Sequence, residues 1–212
     1  MDPSKSNDLP KLILRKNLNF NEEKLKKIDL FVNNVLTYNQ KYNLISRSTE
    51  RDIWSRHILD SAQLVKHIDS DKFKSLSDLG TGAGFPGIIL SIFFSDVITF
   101  HVKLYEKSNV KIDFLKDQIR SLQLNNVSLY DNDYQSHKLS SDYFVFRAFK
   151  RLTEILRISR ETIIGPHKLI VMMGKSAQDQ LNKASKADIN KYKLVPSITS
   201  NDSKILLLDG KK

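Results

Sequence analysis

Four glycines fall within Gly80–Gly87 of the stretch SDLGTGAGFPG (Ser77–Gly87), directly after a short apolar run that ends at Leu79. Backbone this rich in glycine interrupts regular structure, accepts positive φ and leaves room for a ligand to approach the main chain. Pro86 suits the first turn of a helix, where its missing N–H costs nothing. The stretch therefore predicts a strand, a tight turn and a helix whose N-terminus faces a bound group.

The pattern downstream extends this unit. Strands are expected over Ile98–Tyr105, Val127–Tyr130, Tyr143–Phe146 and Lys168–Met172, with helices from about Pro86, over Asn109–Leu122, around Leu152–Ile163 and near Ala177–Lys186. Such alternation implies a mostly parallel sheet covered by helices on both faces. Only seven residues separate the last two runs, Tyr192–Pro196 and Lys204–Leu208, too few for a crossover, so these should pair antiparallel. Upstream, Asn21 caps a helix whose apolar stripe is Leu25, Ile28, Val32, Val35 and Leu36, and Phe20 is placed to staple onto Leu25. A second helix beginning near Ser48 or Thr49 carries Ile53, Trp54, His57, Ile58, Ser61 and Val65 on one face. The reading is two parts, a helical extension over 1–74 and an α/β domain over 75–212.

Charge sharpens the functional classes. Met1–Lys74 holds 14 basic against 10 acidic residues, Ser75–Arg147 holds 7 against 8, and Ala148–Lys212 holds 13 against 6. The segment with the glycine turn is nearly neutral between basic flanks, which suits a small-molecule pocket beside a polyanion such as nucleic acid. The chain has no cysteine, so disulfides and thiolate chemistry are excluded, and Gly87–Phe94 is too short an apolar run to span a bilayer. A cytoplasmic monomer is expected.

Two ligand registers fit the turn. Gly82, Gly84 and Gly87 satisfy G-x-G-x-x-G, the dinucleotide pattern, and Asp78 with Gly80, Gly82 and Gly84 satisfies D-x-G-x-G-x-G, typical of S-adenosylmethionine methyltransferases. In both, Glu106 at the end of the next strand is placed to accept ribose hydroxyls. Asp78 beside the turn would repel a pyrophosphate but suits the ammonium group of a methionine moiety. The antiparallel final strand and the lack of a second catalytic domain also favour the methyltransferase register.

The segments YNLIS (Tyr42–Ser46), RHILDS (Arg56–Ser61), DLGTGAGFPGI (Asp78–Ile88), EKSNVKIDFL (Glu106–Leu115) and RAF (Arg147–Phe149) occur in order. Together they resemble the bacterial 16S ribosomal RNA guanine-N7 methyltransferases, the RsmG or glucose-inhibited division protein B family, over about Phe20–Leu208. The resemblance implies a class I, Rossmann-like methyltransferase fold with a seven-stranded, mostly parallel sheet, an antiparallel last strand and an N-terminal helical extension. It implies S-adenosylmethionine as methyl donor and 16S rRNA of the small ribosomal subunit as partner. Cofactor contacts are then expected from Asp78, Gly80, Thr81, Gly82, Gly84 and Phe85 in the turn, and from Glu106, Tyr134, Gln135 and Arg147. The sequence departs from the family where Met173-Gly174-Lys175 replaces the usual Lys-Gly and where Phe146 precedes Arg147.

Guanine N7 carries a lone pair and no proton, so no general base, catalytic dyad or metal is expected. Arg147 and Phe149 are candidates for positioning the substrate, with the guanine stacked on Phe149 or Phe85. Arg47, Arg51, Arg56, Lys150, Arg151 and Lys175 are candidates for RNA contact, and Arg157 and Arg160 extend the basic cluster. His57 and Asp60, three apart on a helix, are read as a structural pair, and Trp54 as core. The competing reading is an RNA- or ribosome-binding module that keeps the fold without the activity.

Overall fold

The computed structural model describes residues 3–184, 189 and 191–210. Its centre is a seven-stranded sheet in the order β3-β2-β1-β4-β5-β7-β6. The strands are β1 (Ser75–Leu79), β2 (His101–Tyr105), β3 (Val127–Tyr130), β4 (Tyr143–Arg147), β5 (Lys168–Met173), β6 (Tyr192–Pro196) and β7 (Lys204–Asp209). The β1–β2, β1–β4, β2–β3 and β4–β5 pairs are parallel, and β7 runs antiparallel to both β5 and β6. The short link between the last two strands thus forces the pairing expected from it.

Strand alternation divides the core. On β4, Tyr143 and Val145 face one side, and Phe144 and Phe146 the other. The first side is covered by α4 (Gly87–Phe93) and α5 (Asn109–Ser121), and the second by α6 (Leu152–Glu161) and α7 (Ala177–Lys183). Outside α4 and α5 lies a further helical layer of α1 (Pro3–Leu18), α2 (Glu22–Asn39) and a composite α3. This α3 joins a π-helical turn Trp54–Leu59, an α-turn Asp60–Ala62 and a 3-10 segment Gln63–His67.

The helical layer is welded to the sheet layer by aromatic packing. Phe31 of α2 is fully buried, its ring 5.3 Å from that of Phe85 in the glycine turn and 6.2 Å from Phe114 of α5. Asn21 caps α2 through the Lys24 amide, while Phe20 packs its ring 4.9 Å from Phe93 of α4. The core residues of α1–α3 and of the sheet's first face form one continuous cluster.

Several expectations change. Pro3–Leu18 form α1, a helix not expected from the sequence, where Leu14 and Leu18 are buried one turn apart despite Pro10 inside the helix. Strand β2 begins at His101 rather than Ile98, because Val97 and Phe100 close a turn and Ile98 is 99% exposed. The helix expected from Ser48 is instead a 3-10 turn at Arg47–Thr49 followed by α3, although its face of Ile53, Trp54, His57, Ile58 and Ser61 is buried as read. The expected end of α7, past Lys183, runs into 185–188, outside the described residues. No described helix is long and apolar enough to cross a membrane.

Truncating Phe31 tests the weld. Phe31→Ala should cost about 3–5 kcal/mol of stability, the usual cost of deleting a buried aromatic ring, read as a shifted urea midpoint with unchanged slope. A loss below about 1 kcal/mol would mean the layers do not depend on this contact.

Candidate functional site

The site lies at the C-terminal edge of the sheet, where β1, β2 and β4 end. The turn after β1 is tied down twice. The amides of Gly80 and Thr81 donate to the Tyr105 carbonyl at 2.9 and 3.1 Å, and the Gly82 amide donates to Glu106 Oε2 at 2.9 Å. Glu106 Oε1 accepts from the amides of Lys107 and Ser108, both at 2.9 Å. Three of roughly four lone-pair positions on this carboxylate are thereby used, leaving Oε2 able to accept one more hydrogen bond.

Asp78 holds the turn from beneath. It is 1% exposed, and its Oδ2 accepts the Thr81 hydroxyl at 2.7 Å and the Gly87 amide at 2.8 Å. Burial pushes its pKa up to about 6, against the lowering pull of those two donors. Asp78 is therefore a brace for the turn and the start of α4, not the exposed partner for a ligand ammonium that the sequence led us to expect. Thr81, also buried, shares that bracing role.

Above the turn is a cleft of about 270 Å³ lined by Gly80, Tyr105, Glu106, Asn132, Tyr134, Gln135, Phe149 and their neighbours. Gly80 has φ +72°, and a Cβ built there would stand 2.6 Å from the Phe149 ring. Gly82, at φ +63°, meets nothing nearer than 4.0 Å, so its backbone is open from above. A side chain is excluded at the first position by packing and strained at both by conformation. Gly84 instead lets Ile88 and Leu115 approach. Across the cleft, Asp133 caps the Tyr134–Ser136 turn through the Gln135 amide, and Tyr134 meets Phe149 edge-on at 5.5 Å. Gly80, Glu106, Tyr134, Gln135 and Phe149, expected from distant segments, are thus brought together.

Arg147 is placed elsewhere. It ends β4 and turns toward α3, where Nε donates to Asp60 Oδ2 at 3.3 Å and Nη2 donates to the Arg56 carbonyl at 2.8 Å. Nη2 also lies 3.2 Å from His57 Nδ1. Guanidinium only donates, so Nδ1 must be the lone-pair nitrogen. The same tautomer follows from the other side, because Thr49 Oγ1 donates to the Ser46 carbonyl and so accepts from His57 Nε2 at 2.9 Å. Burial, then the charges of Arg147 and Arg56, lower the His57 pKa to about 3. His57 and Asp60 do not bond to each other as the sequence spacing suggested; both hold Arg147. Asp60 is further fixed by Gln63 and by Thr199 Oγ1 from the β6–β7 turn. Thr199 lies 139 residues away, and no local sequence signal could have joined them.

Phe85 is buried with its ring 5.0 Å from His57, so it packs the turn against the helices and offers no stacking platform. Met173, where the usual lysine would stand, is buried in the core beneath α6 and α7. Lys175 is exposed and pairs with Asp202 at 3.3 Å. Arg47, Arg51, Arg56 and Arg151 are exposed, and Lys150 pairs with Glu154 at the cleft's edge. Arg157 lies 3.7 Å from Glu161. Among the described residues no group of three or more His, Cys, Asp or Glu would hold a metal ion.

Two outcomes follow from this geometry. Gly80→Ala should abolish measurable S-adenosylhomocysteine binding by calorimetry, whereas Gly174→Ala, whose added methyl meets nothing within 4 Å, should bind as wild type. Equal affinities would show that the close contact with Phe149 is irrelevant. His57 should remain neutral with its proton on Nε2 down to pH 5 by nitrogen-detected NMR. The folded protein keeps it neutral where the unfolded chain would protonate it, so its stability contribution is full above about pH 6.5 and falls as pH drops from there toward 3. A doubly protonated ring at pH 5 would contradict the network.

Residues 24–206 match the family model for rRNA small subunit methyltransferase G. The chain is 37% identical over 196 residues to ribosomal RNA small subunit methyltransferase G of Pelagibacter ubique, covering 91% of this chain and 92% of the relative. It is 35% identical over 184 residues to the protein of that name from Rickettsia bellii, covering 87% and 92%. In fold it is similar to a SAM-dependent methyltransferase from Aquifex aeolicus, with TM-score 0.58 at 14% identity over 76% of this chain and 93% of that one. With the match spanning both the helical layer and the sheet, the chain belongs to the rRNA small subunit methyltransferase G family.

Proposed function

We propose that this protein transfers the methyl group of S-adenosylmethionine to N7 of a guanine in the 16S rRNA of the small ribosomal subunit. The observation that carries the reading is the cleft itself, a slot floored by Gly80 with the Glu106 carboxylate at its rim and aromatic walls, in a chain of this family. Its residues fit the donor. Glu106 lines the slot, and its Oε2 keeps hydrogen-bonding capacity to spare, as a ribose hydroxyl requires. Tyr134 and Phe149 offer ring surface, and Gln135 offers polar groups, to an adenine. When bound, the sulfonium supplies an electrophilic methyl group.

The chain's own work is then positional. N7 attacks without losing a proton, so no base is needed. Holding N7, carbon and sulfur in line accounts for on the order of 7–11 kcal/mol of barrier lowering. Gly80 admits Phe149 to the floor of the slot, and the β4 end, fixed through Arg147 to α3, sets where the substrate meets it. Phe149 lines the donor cleft, so its loss should weaken cofactor affinity as well as methyl transfer. The exposed arginines of the Arg47–Arg56 segment, with Lys150 at the cleft's edge and Arg151 and Lys175 beyond it, are read as the RNA face. The division into a helical extension over 1–74 and a methyltransferase domain over 75–212, a monomeric state and a cytoplasmic setting complete the proposal.

Small subunits lacking their normal methylations, incubated with methyl-labelled S-adenosylmethionine and digested to nucleosides, should yield labelled 7-methylguanosine. Label on another nucleoside would overturn the atom assignment. Tight S-adenosylhomocysteine binding with no label would favour the non-enzymatic binding module. If about six phosphates are engaged, log affinity for subunits should fall against log salt with a slope near −4 to −5, and a flat profile would defeat the RNA face.

A further inference from the structure

We propose that a second cavity, separate from the donor cleft, is a docking site for one phosphodiester of the RNA strand beside the target nucleotide. The cavity, of about 130 Å³, opens between α3 and the β6–β7 turn and shares no lining residue with the donor cleft. The inference rests on the RNA methyltransferase reading and assigns that reading a specific anion site.

Its donors are arranged for an anion. Arg147 spends Nε and Nη2 on Asp60, on the Arg56 carbonyl and on His57, while its Nη1 makes no hydrogen bond to the described residues. Asp60 also lines the cavity, its Oδ1 accepting from Gln63 and Thr199 and its Oδ2 from Arg147. The carboxylate therefore locks the guanidinium and balances one of the two arginine charges. The Arg56 side chain is exposed and has no partner among the described residues. The Ser200 hydroxyl accepts from the Asp202 amide and keeps its own proton to donate, and the Ser203 hydroxyl is unengaged among the described residues. His57, neutral, adds no charge.

Two arginines against one aspartate leave a single net positive charge beside two hydroxyl donors. That matches a phosphodiester, a monoanion with acceptor oxygens on several sides. A guanidinium fixed by a partly buried carboxylate presents its remaining N–H groups at little entropic cost. Placement supports the same ligand. Arg147 and Phe149 are two residues apart at the end of β4, one in each cavity, so a strand with its phosphate here brings an adjacent base to the donor cleft.

The test uses the full chain with purified small subunits. Arg56→Ala should raise KM for subunits about tenfold with kcat nearly unchanged, and should reduce the magnitude of the salt slope by about 1, as expected for one lost phosphate contact. Ser203→Ala should raise KM less, and the double variant should show less than the product of the two effects. Calorimetric affinity for S-adenosylhomocysteine should not change. Arg120→Ala, which removes an exposed arginine of α5 paired with Asp117, controls for net charge and should leave the slope as it is. An unchanged KM and slope in Arg56→Ala would overturn the site, and a fall in S-adenosylhomocysteine affinity would reassign the cavity to the cofactor's carboxylate. Should wild type label no subunits, the enzymatic reading fails. The slope difference, read by co-sedimentation without any methyl donor, would still decide the phosphate site.

Discussion

The Asp78 carboxylate takes two donors on one oxygen, the Thr81 hydroxyl and the Gly87 amide, and it does so almost wholly out of water. A buried carboxylate is tolerated only where such donors offset its lost hydration. Here the consequence is geometric: β1, the turn and the first amide of α4 share one acceptor, so the turn cannot move independently of the helix. Glu106 repeats the device from β2 by accepting amides of Gly82, Lys107 and Ser108. The cleft floor and its rim are thus shaped by two carboxylates on neighbouring strands, before any ligand arrives.

The helical layer extends this control to the other side of the turn. Phe85 projects from the turn away from the cleft, between Phe31 of α2 and His57 of α3, with the Arg147 guanidinium carbon 5.8 Å from its ring centroid. Arg147 then ties the end of β4 to Asp60. The helices outside α4 and α5 are therefore not a mere attachment. They fix the back of the ligand turn and the strand end that carries Phe149, which gives their packing a direct bearing on the site.

Much of this was legible in the residues. The glycine spacing, the alternation of β1 to β5 with helices and the seven-residue link before β7 reflect local rules of turn, period and chain reach, and local rules can be read locally. Glu106 was placed correctly at a strand end for the same reason. What escaped was three-dimensional. Asp78 and Phe85 flank the ligand turn by sequence, yet their side chains point beneath it, Asp78 to Thr81 and Gly87 and Phe85 to Phe31 and His57, long-range packing that the motif does not encode. The α1 helix was hidden by Pro10 and a polar first half, although Leu14 and Leu18 supplied a one-turn signal. The Asp60–Arg147 and Asp60–Thr199 contacts bridge segments 87 and 139 residues apart, and a single sequence holds no distance information at that range.

The central claim is that the slot over Gly80, bounded by Glu106, Tyr134 and Phe149, is where the methyl donor is held. A crystal structure of the protein with S-adenosylhomocysteine addresses it most directly. The account predicts the ribose on the Glu106 carboxylate and the adenine beside Tyr134 and Gln135, with Asp78 still hydrogen-bonded to Thr81 and Gly87. Density for the ligand in the Arg147 cavity or elsewhere on the sheet edge, with the Gly80 slot empty, would contradict it.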